Sequence, residues 1–379
     1  MNIIYSGCIG RFPIGGQAWA DMQYLLGLSA LGHDVLYLEE CGPGSWVYNW
    51  ETQEVTTQIG YPASYVRSCL DPIGYQNRWI YRAGSESAGM TLEEFHSFCS
   101  EADLLIVRGS PIDLWREEYD WPKSRIFIDA DPAFTQIKLA EGDVGVSQTV
   151  AHCQRLFTYG TRIGNEDCPI PTGNREWLKT VMPIFLPLWP VVEEGNATHF
   201  TTIMQWRSYA TVSYNGVRYG NKDLEFPKFI SLPRYTEHPF RVALTGAPPE
   251  NLTDHGWDVV PGWIATETPS SYQLFVQNSY AEFGVAKHAY VASRSGWMSD
   301  RSICYLASGR PVLVQDTAFS DWLPVGEGVL TFRDTTDALK GIEAINSDYG
   351  RHRRGARLLA EEYFSTDKVL SQLMQEALA

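Results

Sequence analysis

A strand, a glycine-rich loop, a helix and a second strand fit within the first forty residues, and this alternation constrains the fold more than any other feature of the chain. Asn2 to Cys8 is a short apolar run, and Gly10 to Gly16 is broken by Pro13 and a pair of glycines. Trp19 to Leu31 carries apolar residues at helical spacing, and Gly32-His33-Asp34-Val35 turns into Leu36-Tyr37-Leu38. Two strands joined through a helix pair in parallel, because a parallel pair needs a crossover connection, so the unit predicts a parallel sheet with helices on its faces.

The pattern recurs. Ala102 to Arg108, Arg125 to Ile128 and Leu156 to Gly160 read as buried strands, the second running into Asp129-Ala130-Asp131-Pro132. A second series starts near Phe200, with strands expected at Phe200 to Trp206, Arg241 to Gly246, Trp257 to Val260, Ala289 to Ser293 and Pro311 to Gln315, and helices at Lys222 to Leu232 and Ser299 to Ser308. Tyr48 to Gly89, aromatic and without a clear period, reads as an insertion, and the proline-rich stretch Pro183 to Pro190 as a linker. The expected architecture is α/β, two Rossmann-like domains facing across a cleft. Residues 1–185 and 186–365 form the domains, and a final helix in 366–379 crosses back onto the first.

The length of 379 residues suits two domains at roughly 100 to 200 residues each. With 44% hydrophobic residues the chain has the apolar surface that a disordered chain lacks. Its formal net charge of −15 counts against a nucleic-acid partner, since such binders displace counterions with clustered Lys and Arg. Seven scattered cysteines without metal-ligand spacing suggest reduced thiols and a cytoplasmic protein. The N-terminus reads as a strand rather than a signal peptide, and no apolar run is long enough to span a membrane. A monomer or homodimer is expected.

Ligand chemistry is expected where strands end in polar or glycine-containing tips. In the first half, Gly15 and Gly16, with Gln17 and Trp19 beyond them, follow strand one and open a helix. Glycines let a backbone approach a ligand, although this spacing matches neither a dinucleotide fingerprint nor a phosphate-binding loop, and a tight turn explains it as well. In the second half, Ser293-Arg294-Ser295-Gly296-Trp297-Met298-Ser299-Asp300-Arg301 gathers two guanidiniums, three hydroxyls and a glycine at the start of a helix. Such a cluster suits a diphosphate; the structural alternative is a helix capped by Ser299 with its arginines solvated. Lys222 opens the next candidate helix, where a cation opposes the helix dipole and suits an arriving anion. His33, His152, His199 and His288 have no partner visible in sequence and read as structural.

In order and spacing, the second half resembles the GT-B glycosyltransferases, especially family 4 and the related CgeB-like proteins. Arg207 follows a strand, Lys222 opens a helix, Gly246 ends the next strand, and Arg301 sits eight residues before Gly309 in Gly309-Arg310-Pro311-Val312. The Gly-Gly loop, helix and Gly32-His33-x-Val35 are similar to the acceptor-domain start of that family. The resemblance implies a glycosyltransferase that moves a sugar from a nucleoside diphosphate donor, as co-substrate, to a hydroxyl of a small molecule or glycan, with fixed cations in place of a metal and no other cofactor. A UDP-, GDP- or ADP-linked donor is expected. Arg207, Lys222, Gly246, Arg294, Ser295, Gly296, Ser299, Asp300, Arg301, Asp316 and Thr317 become the candidate donor residues. For a base, the strand-end carboxylates Asp129 and Asp131 come first and Glu39 or Glu40 second. The sequence departs from the family where a donor-ribose Glu is replaced by Cys304 and its partner acid by Gly296, and Asp300 or Asp316 are candidates for the missing carboxylate. A sugar-nucleotide epimerase and a non-catalytic nucleotide-sugar binder are the rival readings.

Overall fold

Strands such as Leu104–Arg108 are buried along their whole length, the pattern of a sheet covered on both faces rather than one. The computed structural model describes residues 1–379 except Glu51, Ser110, Pro111, Glu194, Asn196 and Pro249. Among the described residues the first sheet has eight strands, in the order Leu178–Lys179, Arg155–Thr158, Ser124–Asp129, Leu104–Arg108, Asn2–Ser6, Asp34–Cys41, Trp79–Ala83, Glu86–Gly89. All neighbours are parallel except the last pair. The second sheet is wholly parallel, with six strands in the order Trp257–Pro261, Phe240–Thr245, Phe200–Gln205, Ala281–Gly284, Val312–Gln315, Val329–Phe332.

Each sheet reverses its winding direction once near its centre, between Asn2–Ser6 and Leu104–Arg108 in the first and between Phe200–Gln205 and Ala281–Gly284 in the second. The crevice beyond the carboxyl ends of such a pair is where open α/β sheets bind ligands.

Several elements differ from the sequence expectation. The stretch read as an insertion supplies two strands to the first sheet, Trp79–Ala83 and Glu86–Gly89, besides a hairpin and the helix Gly60–Leu70. Lys222 to Leu232 forms short 3₁₀ turns instead of a helix, because Pro227 and Pro233 lack the N–H that would extend it. Ala289 to Ser293 lies in a helix, His288–Ser293, and the strand is Ala281–Gly284 just before it. The strand Val329–Phe332 was not foreseen.

The two halves meet closely. Helix Gly15–Ala30 abuts the segment around Thr268: a Cβ on Gly15 would lie 2.1 Å from the Thr268 carbonyl oxygen, so only glycine fits. Trp19 donates from Nε1 to the Pro269 carbonyl at 2.7 Å and packs on Trp189 of the linker, ring centroids 4.9 Å apart. Arg357 donates to the carbonyls of Trp189 and Ala307, both at 2.8 Å, tying the linker to the end of helix Asp300–Ala307. The last helix, Thr366–Leu378, lies on helix Gly15–Ala30, where Gly27 leaves room for Thr366 and Leu370.

Candidate active site

The winding reversal of the second sheet is occupied by Arg301. From the first turn of helix Asp300–Ala307 its guanidinium donates to Glu282 at 2.5 Å and to the Ile203 carbonyl at 2.8 Å, bridging the two central strands. Glu282 is fully buried, and its second carboxylate oxygen has no partner among the described residues. Beside Arg301 opens a small cavity lined by Gly284, Ala286, Trp297, Ser299, Ser302 and Thr317, among others. The Ser302 hydroxyl is fully buried and also lacks a partner there. Gln315 borders the cavity with a fixed amide: Oε1 accepts from the Ala286 N–H at 3.2 Å and Nε2 donates to Glu225 at 2.7 Å.

Lys222 stands half-buried next to Arg301, without a hydrogen bond or ion pair among the described residues. Burial, and then the Arg301 charge, hold its pKa well below the usual lysine range. Lys287 adds a third positive charge to this neighbourhood. Glu282 and Asp300 nearby offset this only in part, and a desolvated cation that pairs with no carboxylate among the described residues is stabilised by an arriving anion. The N-terminus of helix Asp300–Ala307 favours the same charge, and Ser299, at its cap position, makes no side-chain capping bond.

The other expected donor residues divide. Arg207 does not converge on the pocket: it points to solvent and pairs with Asp223 at 2.7 Å. Arg294 is likewise exposed, in the left-handed conformation that ends helix His288–Ser293. Gly246 ends its strand at φ 92°, facing Trp206. Asp316 organises its own loop, accepting from the Ala318 N–H, Ser320 and Arg333. Thr317 lines the cavity and donates to the Trp297 carbonyl. Ser295 is buried with an unpartnered hydroxyl, and its carbonyl accepts from the Arg162 N–H of the first domain at 3.0 Å. At Gly296, φ is 75° and a Cβ would lie 2.3 Å from Thr161 Oγ1, which explains why no acid stands there.

On the opposite side, the candidate bases are engaged. Asp129 is fully buried and accepts from Gln136, Thr158 and the Asp131 N–H; burial raises its pKa against those bonds. Glu40 pairs with Arg116 at 2.7 Å and accepts from Tyr119, inside the first domain. Asp131 reaches across the cleft to Lys287. Burial alone would raise its pKa, but the Lys287 ammonium and hydrogen bonds from Lys287, Tyr290 and Tyr209 outweigh it, and the net shift is downward. Burial raises the Glu40 pKa as well, so Asp129 and Glu40 are strengthened as bases but engaged within their own domain, whereas Asp131 is weakened and engaged by the other domain. Glu39, on the other face of the same strand as Glu40, accepts from the Gly10 and Arg11 N–H groups and from Tyr37, and burial pushes it up to about 7.

Gly16 and Trp19, expected to face an acceptor, line a second small cavity between the domains with Gln23, Tyr272, Asp300 and Cys304. Gly15 is taken up by the contact with Thr268, and Gln17 donates to the buried Asp21 at 3.2 Å. Asp300 is exposed on this cleft, one helical turn from Cys304, whose thiol burial raises well above its ordinary value. Sequence reasoning missed Glu282, Lys287 and Gln315. A carboxylate inside the apolar run Ala281-Glu282-Phe283-Gly284 was the one available signal.

No family model matches the chain, and no curated protein matches it by sequence. Solved structures do. An alpha-glucosyltransferase in complex with UDP and a 13-mer DNA containing an A:G mismatch aligns at TM-score 0.65 and 11% identity, covering 100% of this chain and 99% of that one. Sucrose-phosphate synthase from Thermosynechococcus elongatus aligns at 0.55 and 10% identity, covering 99% and 98%. AviGT4, a glycosyltransferase involved in avilamycin A biosynthesis, aligns at 0.53 and 10% identity, covering 100% and 97%. The fold is that of the GT-B glycosyltransferases, two Rossmann-like domains across a cleft.

Proposed function

We propose that the chain is a glycosyltransferase that moves a sugar from a nucleoside diphosphate sugar to a hydroxyl acceptor. The observation that carries this reading is the unpaired Lys222 beside Arg301, at the winding reversal of the second sheet and at a helix N-terminus. A diphosphate would supply the missing negative charge. The base and ribose would enter the adjacent cavity, where Trp297 offers a ring face and Ser302 a free hydroxyl. As the bond to the sugar breaks, charge grows on the diphosphate, and Lys222, Arg301 and the helix terminus, already fixed in place, stabilise it without a metal. Asp300 would accept donor hydroxyls in place of the carboxylate that Cys304 lacks; its exposure on the cleft and its position beside Cys304 support this. Closure of the cleft would keep water from the donor.

The neighbours bound to UDP favour a UDP-linked donor. Some of them are bound to DNA, but the net charge of −15 here favours a small-molecule or glycan acceptor. Seven free thiols suit the cytoplasm, and among the described residues no helix is long and apolar enough to cross a membrane.

Incubation of the purified protein with UDP-, GDP- and ADP-sugars, with and without glycan, small-molecule and DNA acceptors, tests the reading. Released nucleoside diphosphate with a glycosylated acceptor is expected. A new sugar nucleotide with no release would indicate epimerisation, and binding without turnover would indicate a binding protein.

A further inference from the structure

Asp131 is the only expected base whose hydrogen-bonding side-chain partners among the described residues all belong to the other domain. Its Oδ1 accepts from Lys287 Nζ at 2.8 Å and from the Tyr290 hydroxyl, and its Oδ2 accepts from the Tyr209 hydroxyl at 2.8 Å. The Lys287 ammonium also lies 4.2 Å from the Tyr209 ring centroid and 3.2 Å from the Tyr290 hydroxyl, so an aromatic wall encloses the ion pair. Acceptor and donors sit on opposite sides of the cleft, so these bonds tie the two domains together.

The charges around the site are unevenly answered. Arg301 has Glu282 and Lys287 has Asp131, whereas Lys222 forms no ion pair among the described residues. Lys287 follows strand Ala281–Gly284 closely and sits at the cap of helix His288–Ser293, beside the proposed donor pocket.

We propose that Asp131 is a positioning residue, the first domain's half of a latch that ties the two domains together across the cleft and that an incoming nucleoside diphosphate must displace from Lys287. The proposal rests on the donor reading of the site given above. An anion bound at Lys222 would repel the Asp131 carboxylate and offer Lys287 a second acceptor. A latch that holds the domains together also lowers the apparent affinity of any ligand that must break it, by the fraction of molecules in which it is broken.

The test is Asp131→Asn, with Tyr209→Phe as a second variant that leaves every charge in place. Small-angle scattering gives the radius of gyration of the free proteins, and titration gives the Kd for UDP, GDP and ADP. The expected result for Asp131→Asn is a larger radius and nucleotide binding tighter by about fivefold or more, the lower end of ordinary coupling between sites. Tyr209→Phe should move both readings the same way, by less. Lys287→Met should enlarge the radius but weaken binding, because it removes a cation along with the latch. An unchanged radius in Asp131→Asn, or weaker nucleotide binding, overturns the latch. A larger radius with no nucleotide bound by any of the proteins overturns the donor reading and leaves the latch supported.

Discussion

Replacing Lys222 with Met should separate function from stability in a way few substitutions do. In the free protein the ammonium is a half-buried charge beside Arg301 without an acid partner, so its removal relieves a repulsion and a desolvation cost, and the stability of the free protein should hold or rise. With a diphosphate bound, the same ammonium becomes a charge-assisted donor. Hydrogen bonds to charged groups contribute about 1.5–3 kcal/mol, so loss of this one should weaken nucleoside diphosphate binding by about 10- to 150-fold. The two effects have opposite signs. A further sign follows from the lowered pKa: the folded protein binds fewer protons at Lys222 than the unfolded chain does, so stability lost to the buried charge is recovered as pH rises from the folded value toward the ordinary lysine range. Anion binding favours the protonated form, so binding should take up protons at alkaline pH in the wild type and not in Lys222→Met. Calorimetric titration with UDP in buffers of different ionisation enthalpy reads affinity and proton uptake together, and thermal unfolding without ligand reads stability. An unchanged Kd, or a clearly lower Tm of the free variant, would refute the reasoning.

Glu39, pushed up to about 7 from 4.5 by burial, stabilises the fold when protonated; that contribution of about 3 kcal/mol is present below the unfolded value and is lost as pH rises through 7. Glu39→Gln should therefore flatten the fall in stability between those pH values, as chemical denaturation across the range would show; an unchanged slope would count against the shift. At Gly296, Ala would place a Cβ against Thr161 in a left-handed conformation, and a loss of about 1–2 kcal/mol from the backbone alone is expected by denaturant titration. Asp129→Ala strands three buried donors and should cost about 3 kcal/mol or more, with no specific change in nucleotide affinity for whatever fraction folds.

Much of the fold was legible because its strands are buried on both faces and so appear as unbroken apolar runs. Phe200–Gln205, Phe240–Thr245 and Val312–Gln315 lie within a residue or two of where the runs end. Ala281–Gly284 escaped because half of its four residues are an alanine and a glycine and a third is the buried Glu282, which reads as surface until Arg301 is seen to neutralise it. Pro227 and Pro233 were visible but outweighed by the apolar spacing around them. Lys222 and Arg301 were singled out because each opens a turn or helix, Lys222 just after strand Val217–Tyr219 and Arg301 after helix His288–Ser293, where a strand was expected. Arg207 was singled out for following a strand, yet it points to solvent and pairs with Asp223, a contact no local pattern holds. The tie between Asp131 and Lys287 spans 156 residues, and pairings of that range follow from how the domains dock rather than from any spacing within them.

The bonds from Arg357 to Trp189 and Ala307 couple the stretch between the two sheets to the helix that carries Arg301. Trp189, just after the 3₁₀ turn Leu186–Leu188, is fastened to the far end of the helix whose first turn carries Asp300 and Arg301. A displacement of that stretch would therefore be transmitted through the helix to the charged groups at its other end.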